Sequence, residues 1–427
     1  MLIQKIIVSL FTYSFLLFLS SCQNSSDAEL KLVVAVWRHG ARNPTQISPN
    51  DKYNQPETWE GGLKHLTKKG KQQMYQLGQA FRQRYGYLTN YTFEYQLAYF
   101  ISGDQDRVID SASLLAAGMY PPNQDEIWSS KLPWNPIPVH TTKMIENTEG
   151  ESAISHSCPA IHHYAFSSIM TAIYKNNKDF LDYVSEKSGL PLNNVLFDTG
   201  DIADAIEIEQ KYNGSIHKLP TWLNDSMADR LLEIYTETRE LTYKFPEVLM
   251  FTGGWLIKQI VQNIQNVITR KSKYKFIGYS AHDENLRGLA AVLDQKTYKW
   301  DYGSNYVFEI YEMKNKSILI KIWRQQGWNT AREPVLISNC PQPCEFQNFV
   351  QAKQQFFSPS NWQEECSLTN YSESKNCKES DFAVTISVLA AISAIFLITT
   401  ILLFCCYCDQ RRKWKKAEEN TPLLRSF

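Results

Sequence analysis

Three segments of this chain share one pattern: an apolar run, a polar turn, then helical periodicity. In LKLVVAVWRHG the run from Leu32 to Trp37 reads as a strand buried on both faces, and a charged turn begins where it ends. In YKFIGYSAHDENLRGLAAVL, strand-like KFIGYS leads into AHD and a helix with Leu286, Leu289 and Val292 on one face. In LAYFISGDQDRVIDSASLLAAGMYPP, LAYFIS leads into GDQDR and a helix that Pro121 and Pro122 stop. Repeated strand, turn and helix predict an α/β fold with a parallel sheet, in which ligands bind beyond the carboxyl ends of the strands. The three polar turns then converge on one edge.

Between these segments, a helix from about Thr67 to Tyr85 carries Met74, Leu77, Phe81 and Tyr85 at helical spacing, and a second follows Asn224 with Met227, Leu231, Ile234 and Leu241. Both are ordinary core stripes. Residues from about 140 to 250 lack the alternation and read as a smaller helical domain inserted over the sheet's active edge. The 43% hydrophobic content supports a sizeable core, and 44 basic residues balanced by 44 acidic ones give no reason to expect nucleic acid as a partner.

The ends predict a membrane topology. Residues 1–22 hold one lysine, Lys5, a long apolar run and small residues before Cys22, as a secretory signal does. The stretch LSSC also fits a bacterial lipoprotein box ending at Cys22, a reading the other end of the chain disfavours. Residues 382–404 form an uncharged run of 23, about 35 Å as a helix and enough to span a bilayer. Arg411, Arg412, Lys413, Lys415 and Lys416 follow it, which puts the 405–427 tail in the cytosol and residues 28–366 in the lumen or outside, joined by a stalk at 367–381. Six Asn-x-Ser/Thr acceptors (Asn24, Asn90, Asn213, Asn224, Asn315, Asn370) all lie on the luminal side. Glu419 with Leu423 and Leu424 forms an acidic dileucine pattern that a sorting adaptor would read on the way to endosomes and lysosomes. Cys405, Cys406 and Cys408 sit at the inner membrane face, as palmitoylated or plain reduced thiols.

Five cysteines remain in the luminal part: Cys158, Cys340, Cys344, Cys366 and Cys377. CPQPC can close a small loop between Cys340 and Cys344. No second cluster with histidines at ligand spacing exists, so no metal is expected.

The turn RHGARNP gathers two arginines around His39. A lone histidine after a strand is usually structural, but two guanidiniums this close repel unless an anion sits between them, and their planar donor forks suit a phosphate. Gly40 lets the backbone approach such an anion, and Pro44 fixes the exit of the turn. Arg38 and Arg42 also disfavour the imidazolium form of His39, which keeps the ring nucleophilic in acid. A neutral imidazole facing an arginine-held phosphoryl group can take it as phosphohistidine. The leaving oxygen needs a proton; Asp283, in SAHDEN, is the donor expected opposite His39, with His282 as a further phosphate contact. The bland reading of Asp283 and Glu284 is a helix N-terminus carrying acidic residues. A serine nucleophile at Ser280 is the rival chemistry, but GYSAH departs from G-x-S-x-G by placing His282 where the second glycine belongs.

LKLVVAVWRHGARNP, GLKHLTKKGKQQMYQLGQAFRQRY, LPWNPIPVHT, LPTWL and YSAHD, in this order over roughly residues 31–366, resemble the histidine acid phosphatases of the lysosomal and prostatic type. The resemblance implies a phosphoglycerate-mutase-like α/β domain with a smaller helical one, and acid phosphomonoesterase activity that needs no cofactor. It implies His39 as nucleophile, Arg38, Arg42 and His282 as phosphate ligands, and Asp283 as proton donor. It also implies disulfides Cys340–Cys344 and Cys158–Cys366, leaves Cys377 over, and suggests a homodimer. One departure stands out. The family's RSTD-like block, whose first arginine is expected to bind phosphate, reads ISGD here, with Ile101 in the arginine's place and Arg107 at a different position. That motivates the alternative of a catalytically weak binding ectodomain.

Overall fold

The computed structural model describes residues 28–142, 145, 168–190, 198–211, 217–296, 300–357 and 366. The signal segment, Asn24, Cys158, Asn213, Asn370, the stalk with Cys377, the 382–404 run and the whole tail lie outside them. Among the described residues, no helix is long and apolar enough to cross a membrane.

The first part of the chain folds as β1 (Ala28–Arg38), α1 (Lys68–Tyr85), β2 (Ala98–Ser102), α2 (Asp106–Met119) and β3 (Val139–Thr141). A helical stretch follows: α3 (Ser168–Asn176), α4 (Lys178–Ser188), α5 (Asp198–Lys211), α6 (Asp225–Thr242), α7 (Pro246–Leu249) and α8 (Trp255–Ile268). The chain then returns through β4 (Phe276–Ala281), α9 (Asp283–Val292), β5 (Asn305–Met313), β6 (Ile318–Gln325), β7 (Glu333–Val335) and α10 (Phe346–Lys353).

The strands form one seven-stranded sheet in the order β3-β2-β4-β1-β5-β6-β7. It is mixed, which corrects the expectation of a parallel sheet. β3, β2, β4 and β1 run parallel, whereas β5 pairs antiparallel with β1, and β6 and β7 continue antiparallel. The reason is local: only four residues separate β5 from β6, too few for the crossover that parallel neighbours need.

β1 lies at the centre, and its continuous apolar run has a direct cause. Leu32, Val34 and Val36 point into a layer formed with α8 and α9, while Val33, Ala35 and Trp37 point into a layer with α1 and α2. All six are fully buried, each contributing about 1.5–3 kcal/mol where the side chain is large. Thr67 caps α1 by accepting from the Gly70 N–H at 3.1 Å, and Asn224 caps α6 by accepting from Met227 at 2.9 Å. The helical stretch has its own core, built from Leu181 and Val184 of α4, Ile202 and Ile206 of α5, and Leu231 and Ile234 of α6.

Cys340 and Cys344 are joined by a disulfide with Cα atoms 5.4 Å apart, and Cys366 is buried and disulfide-bonded. Asn90, Asn224 and Asn315 are all exposed.

Candidate active site

The carboxyl ends of β1, β4 and β2 bring the polar turns together. His39 N–H donates to the Ala281 carbonyl at 2.9 Å, and Gly103 N–H to that of Ser280 at 3.2 Å, so the turns are stitched to one another directly. The turn after His39 is held from below by α1 and α2. Gly40 N–H donates to Ser111 Oγ at 3.1 Å and Ala41 N–H to Gln73 Oε1 at 2.9 Å. Gly40 is needed for that packing: a Cβ there would lie 2.4 Å from the Gly70 carbonyl oxygen, so what approaches its backbone is helix α1.

His39 is fully buried, and its ring is oriented. Nδ1 lies 2.8 Å from the Gly40 carbonyl oxygen, which can only accept, so Nδ1 carries the proton and Nε2 keeps its lone pair. Arg107 Nε donates to that Nε2 at 3.4 Å. Burial first, and then the neighbouring cations Arg107, Arg38 and Arg42, hold the imidazole pKa well below its usual value. The ring is therefore a neutral base well into the acid range. His282 sits edge-on to it with centroids 5.4 Å apart, and its backbone N–H is capped by Asn285 Oδ1 at 2.9 Å.

Arg38 is gripped from three sides. It donates through Nη1 to the Trp300 carbonyl, lies over the Tyr302 ring at 4.4 Å, and pairs with Asp283 at 3.3 Å. Arg42 pairs with Asp204 of α5 at 2.8 Å. Asp283, in the first turn of α9, also meets Arg287 at 3.5 Å, and Glu284 beside it pairs with Arg239 of α6. Burial works to raise the Asp283 pKa, but Arg38, Arg287 and Arg239 outweigh it and hold the carboxyl well below the usual range.

Above these groups opens a cavity of about 630 Å³, lined among others by Arg38, Arg42, Arg107, Asp283 and Asp204. The structure thus brings Arg38, His39, Arg42, His282 and Asp283 together, and adds a residue that sequence reasoning set aside. Arg107, in the first turn of α2, is the third arginine at the site. Ile101 is a residue of β2 whose side chain packs with the α8–α9 layer. The available signal was position: a side chain one helical turn beyond a strand's carboxyl end points back over that end. Ser280 is buried within β4 and donates to the Val108 carbonyl at 2.8 Å, away from the cavity. Among the described residues no group of histidine, cysteine and carboxylate side chains could hold a metal ion.

A neutral, lone-pair-bearing imidazole ringed by three guanidiniums at a strand end is the makeup of a phosphatase that works through histidine. The profile of the histidine phosphatase superfamily (branch 2) matches residues 29–323, and the chain belongs to that family. It is 30% identical over 388 residues to human (Homo sapiens) lysosomal acid phosphatase, covering 88% of this chain and 87% of the relative. It is likewise 30% identical over 375 residues to mouse (Mus musculus) prostatic acid phosphatase, covering 85% and 96%. The solved Hafnia alvei phytase in complex with tartrate superposes with a TM-score of 0.55 at 15% identity, covering 78% of this chain and 98% of the phytase, a likeness of fold.

Proposed function

We propose that this protein is an acid phosphatase hydrolysing phosphate monoesters through a phosphohistidine on His39. The observation that carries this is the fixed tautomer of His39, whose Nε2 lone pair meets Arg107, a residue that lines the cavity together with Arg38 and Arg42. A phosphoryl group held by the three arginines displaces the Arg107 contact on Nε2 and meets the lone pair in line. The P–O ester bond breaks as the N–P bond forms, and water later cleaves the phosphohistidine.

Asp283 is the proton donor to the leaving oxygen. Without substrate its carboxyl is ionised, held by Arg38 and Arg287. A phosphoryl dianion on Arg38 weakens that pull and repels the carboxylate, so the proton arrives with the substrate. His282 contributes a further contact to the phosphoryl oxygens. The alternative of a weak binding ectodomain rests on Ile101; the contact of Arg107 with His39 supports the enzyme reading over it.

Relatives named as lysosomal support a lysosomal or otherwise luminal setting, reached as a single-pass type I protein through residues 382–404 and a sorting adaptor reading Glu419, Leu423 and Leu424. Unchanged steady-state location of the Leu423→Ala/Leu424→Ala variant would count against the sorting element. Cys366 takes Cys158 as its disulfide partner, and the protein works as a homodimer. The enzymatic test uses a chromogenic phosphomonoester between pH 4 and 8, with His39→Ala and acid-quench trapping of labelled phosphate alongside. Turnover and label on wild type but not on His39→Ala are expected. No turnover and no label on the wild type would overturn the assignment.

A further inference from the structure

Arg42 is the clamp arginine that meets a carboxylate of the helical part. Arg38 has Asp283 and Arg107 touches His39, but the carboxylate meeting Arg42 belongs to α5, 162 positions along the chain. Asp204 Oδ2 accepts from Arg42 Nη1 at 2.8 Å, from Thr45 N–H at 3.1 Å and from Thr45 Oγ1 at 3.1 Å. One carboxylate oxygen therefore gathers the arginine and the residue three positions after it, closing the turn around Arg42. The second donor site of the same Nη1 is spent on the Asn43 carbonyl at 3.1 Å. With that nitrogen committed at both ends, the orientation of the guanidinium plane is fixed.

Helix α5 is itself anchored on two sides. Ile202 and Ile206 pack in the helical core, while Ala205 and Ile208 pack with Ile47 and Trp59 of the segment that follows the turn. The Asp204 side chain is 17% exposed and borders the cavity, against 6% for Arg42. Its negative charge thus stands beside the place where a phosphoryl group sits, and it both aims the arginine and offsets part of its charge.

We propose that Asp204 is the positioning residue for Arg42: from the helical part of the molecule it aims the guanidinium and sets how strongly phosphate is held. The inference rests on the reading of the cavity as a phosphate site. It is tested with Asp204→Ala and Asp204→Asn, measuring KM and kcat for a small chromogenic phosphomonoester and inhibition by inorganic phosphate.

Because Arg42 grips the phosphoryl group before and during transfer, loss of its anchor acts on binding more than on the chemical step. Asp204→Ala should raise KM and the inhibition constant of phosphate about tenfold while kcat changes less than threefold. Asp204→Asn keeps an acceptor in place and removes a charge that repels phosphate, so its phosphate inhibition should stay within about threefold of wild type. Both constants unchanged in Asp204→Ala, or Asp204→Asn as impaired as Asp204→Ala, would overturn the proposal. Thr45→Val provides a second route if the alanine variant does not fold. It removes one donor to Oδ2 and should raise the same two constants by a smaller factor; no change in either would again count against the proposal. An inactive wild type that phosphate does not bind would instead refute the phosphatase reading itself.

Discussion

Replacing Arg107 by alanine removes the guanidinium that touches His39 Nε2 and lines the cavity. A charge-assisted contact to phosphate is worth about 1.5–3 kcal/mol, so kcat/KM and phosphate inhibition should each weaken by roughly one to two decades. A second effect has a definite sign. Arg107 is among the cations that depress the His39 pKa, so its loss raises that pKa and moves the acid limb of kcat/KM to higher pH. The paired control is Ile101→Arg, made in wild type and in Arg107→Ala. Residue 101 faces the apolar layer of α8 and α9, so an arginine there should lower stability by about 1–3 kcal/mol and restore no phosphate binding. Steady-state kinetics across pH 4 to 8, phosphate inhibition and thermal melts read all of these quantities. Intact kcat/KM and phosphate inhibition in Arg107→Ala, or rescue of that variant by Ile101→Arg, would refute a phosphate-holding role for Arg107.

Asp283→Asn should slow an alkyl phosphate by about 10²–10⁴-fold but a nitrophenyl ester by much less, because only the alkoxide leaving group needs a proton; equal losses on both would remove Asp283 as the donor. Gly70→Ala should cost about 1–3 kcal/mol in denaturant unfolding, since its Cβ would fall 1.9 Å from the Ala41 carbonyl oxygen; an unchanged midpoint would contradict the tight docking of α1 on the turn after His39. Glu209 is buried near Asp51, and desolvation, with Asp51 adding to it, pushes its carboxyl up to about 9. The folded state then binds a proton that the unfolded state releases above about pH 4.5, so stability should fall by at most about 1.4 kcal/mol per pH unit towards pH 9. Burial lowers the pKa of neighbouring His217, which acts in the opposite sense only below its usual value of 6.5, so the slope should be clearest above that pH. Melting temperatures of wild type and Glu209→Gln from pH 6.5 to 9 check this, and a slope equally steep in the variant would refute it.

Much of the site was written in local sequence because its parts are local. The run from Leu32 to Trp37 announces a strand buried on both faces, and a strand's end fixes where the next side chains go. Arg38, His39 and Arg42 could therefore be assigned together, and the crowding of cations around His39 gave the direction of its pKa before any distance was known. His282 and Asp283 followed from the same logic at the end of β4. Thr67 and Asn224 announced the helices they cap.

What the sequence could not give depends on residues far apart in the chain. The run Asn305 to Gln325 turns back through four residues, so the sheet becomes mixed, a matter of loop length that the repeated strand–turn–helix pattern obscured. A resemblance aligned by position put the missing arginine at Ile101, but which of two nearby side chains stands beside His39 is decided by strand pleat and helix phase. Those turn Ile101 into the apolar layer and Arg107 over His39. The fixed proton on Nδ1, the grip of Trp300 and Tyr302 on Arg38, and the reach of Asp204 to Arg42 likewise exist only once the chain has folded. The sequence alone determined which chemical groups stand at each strand end; tertiary structure decided how they are aimed, because direction comes from packing between segments that the chain itself keeps apart.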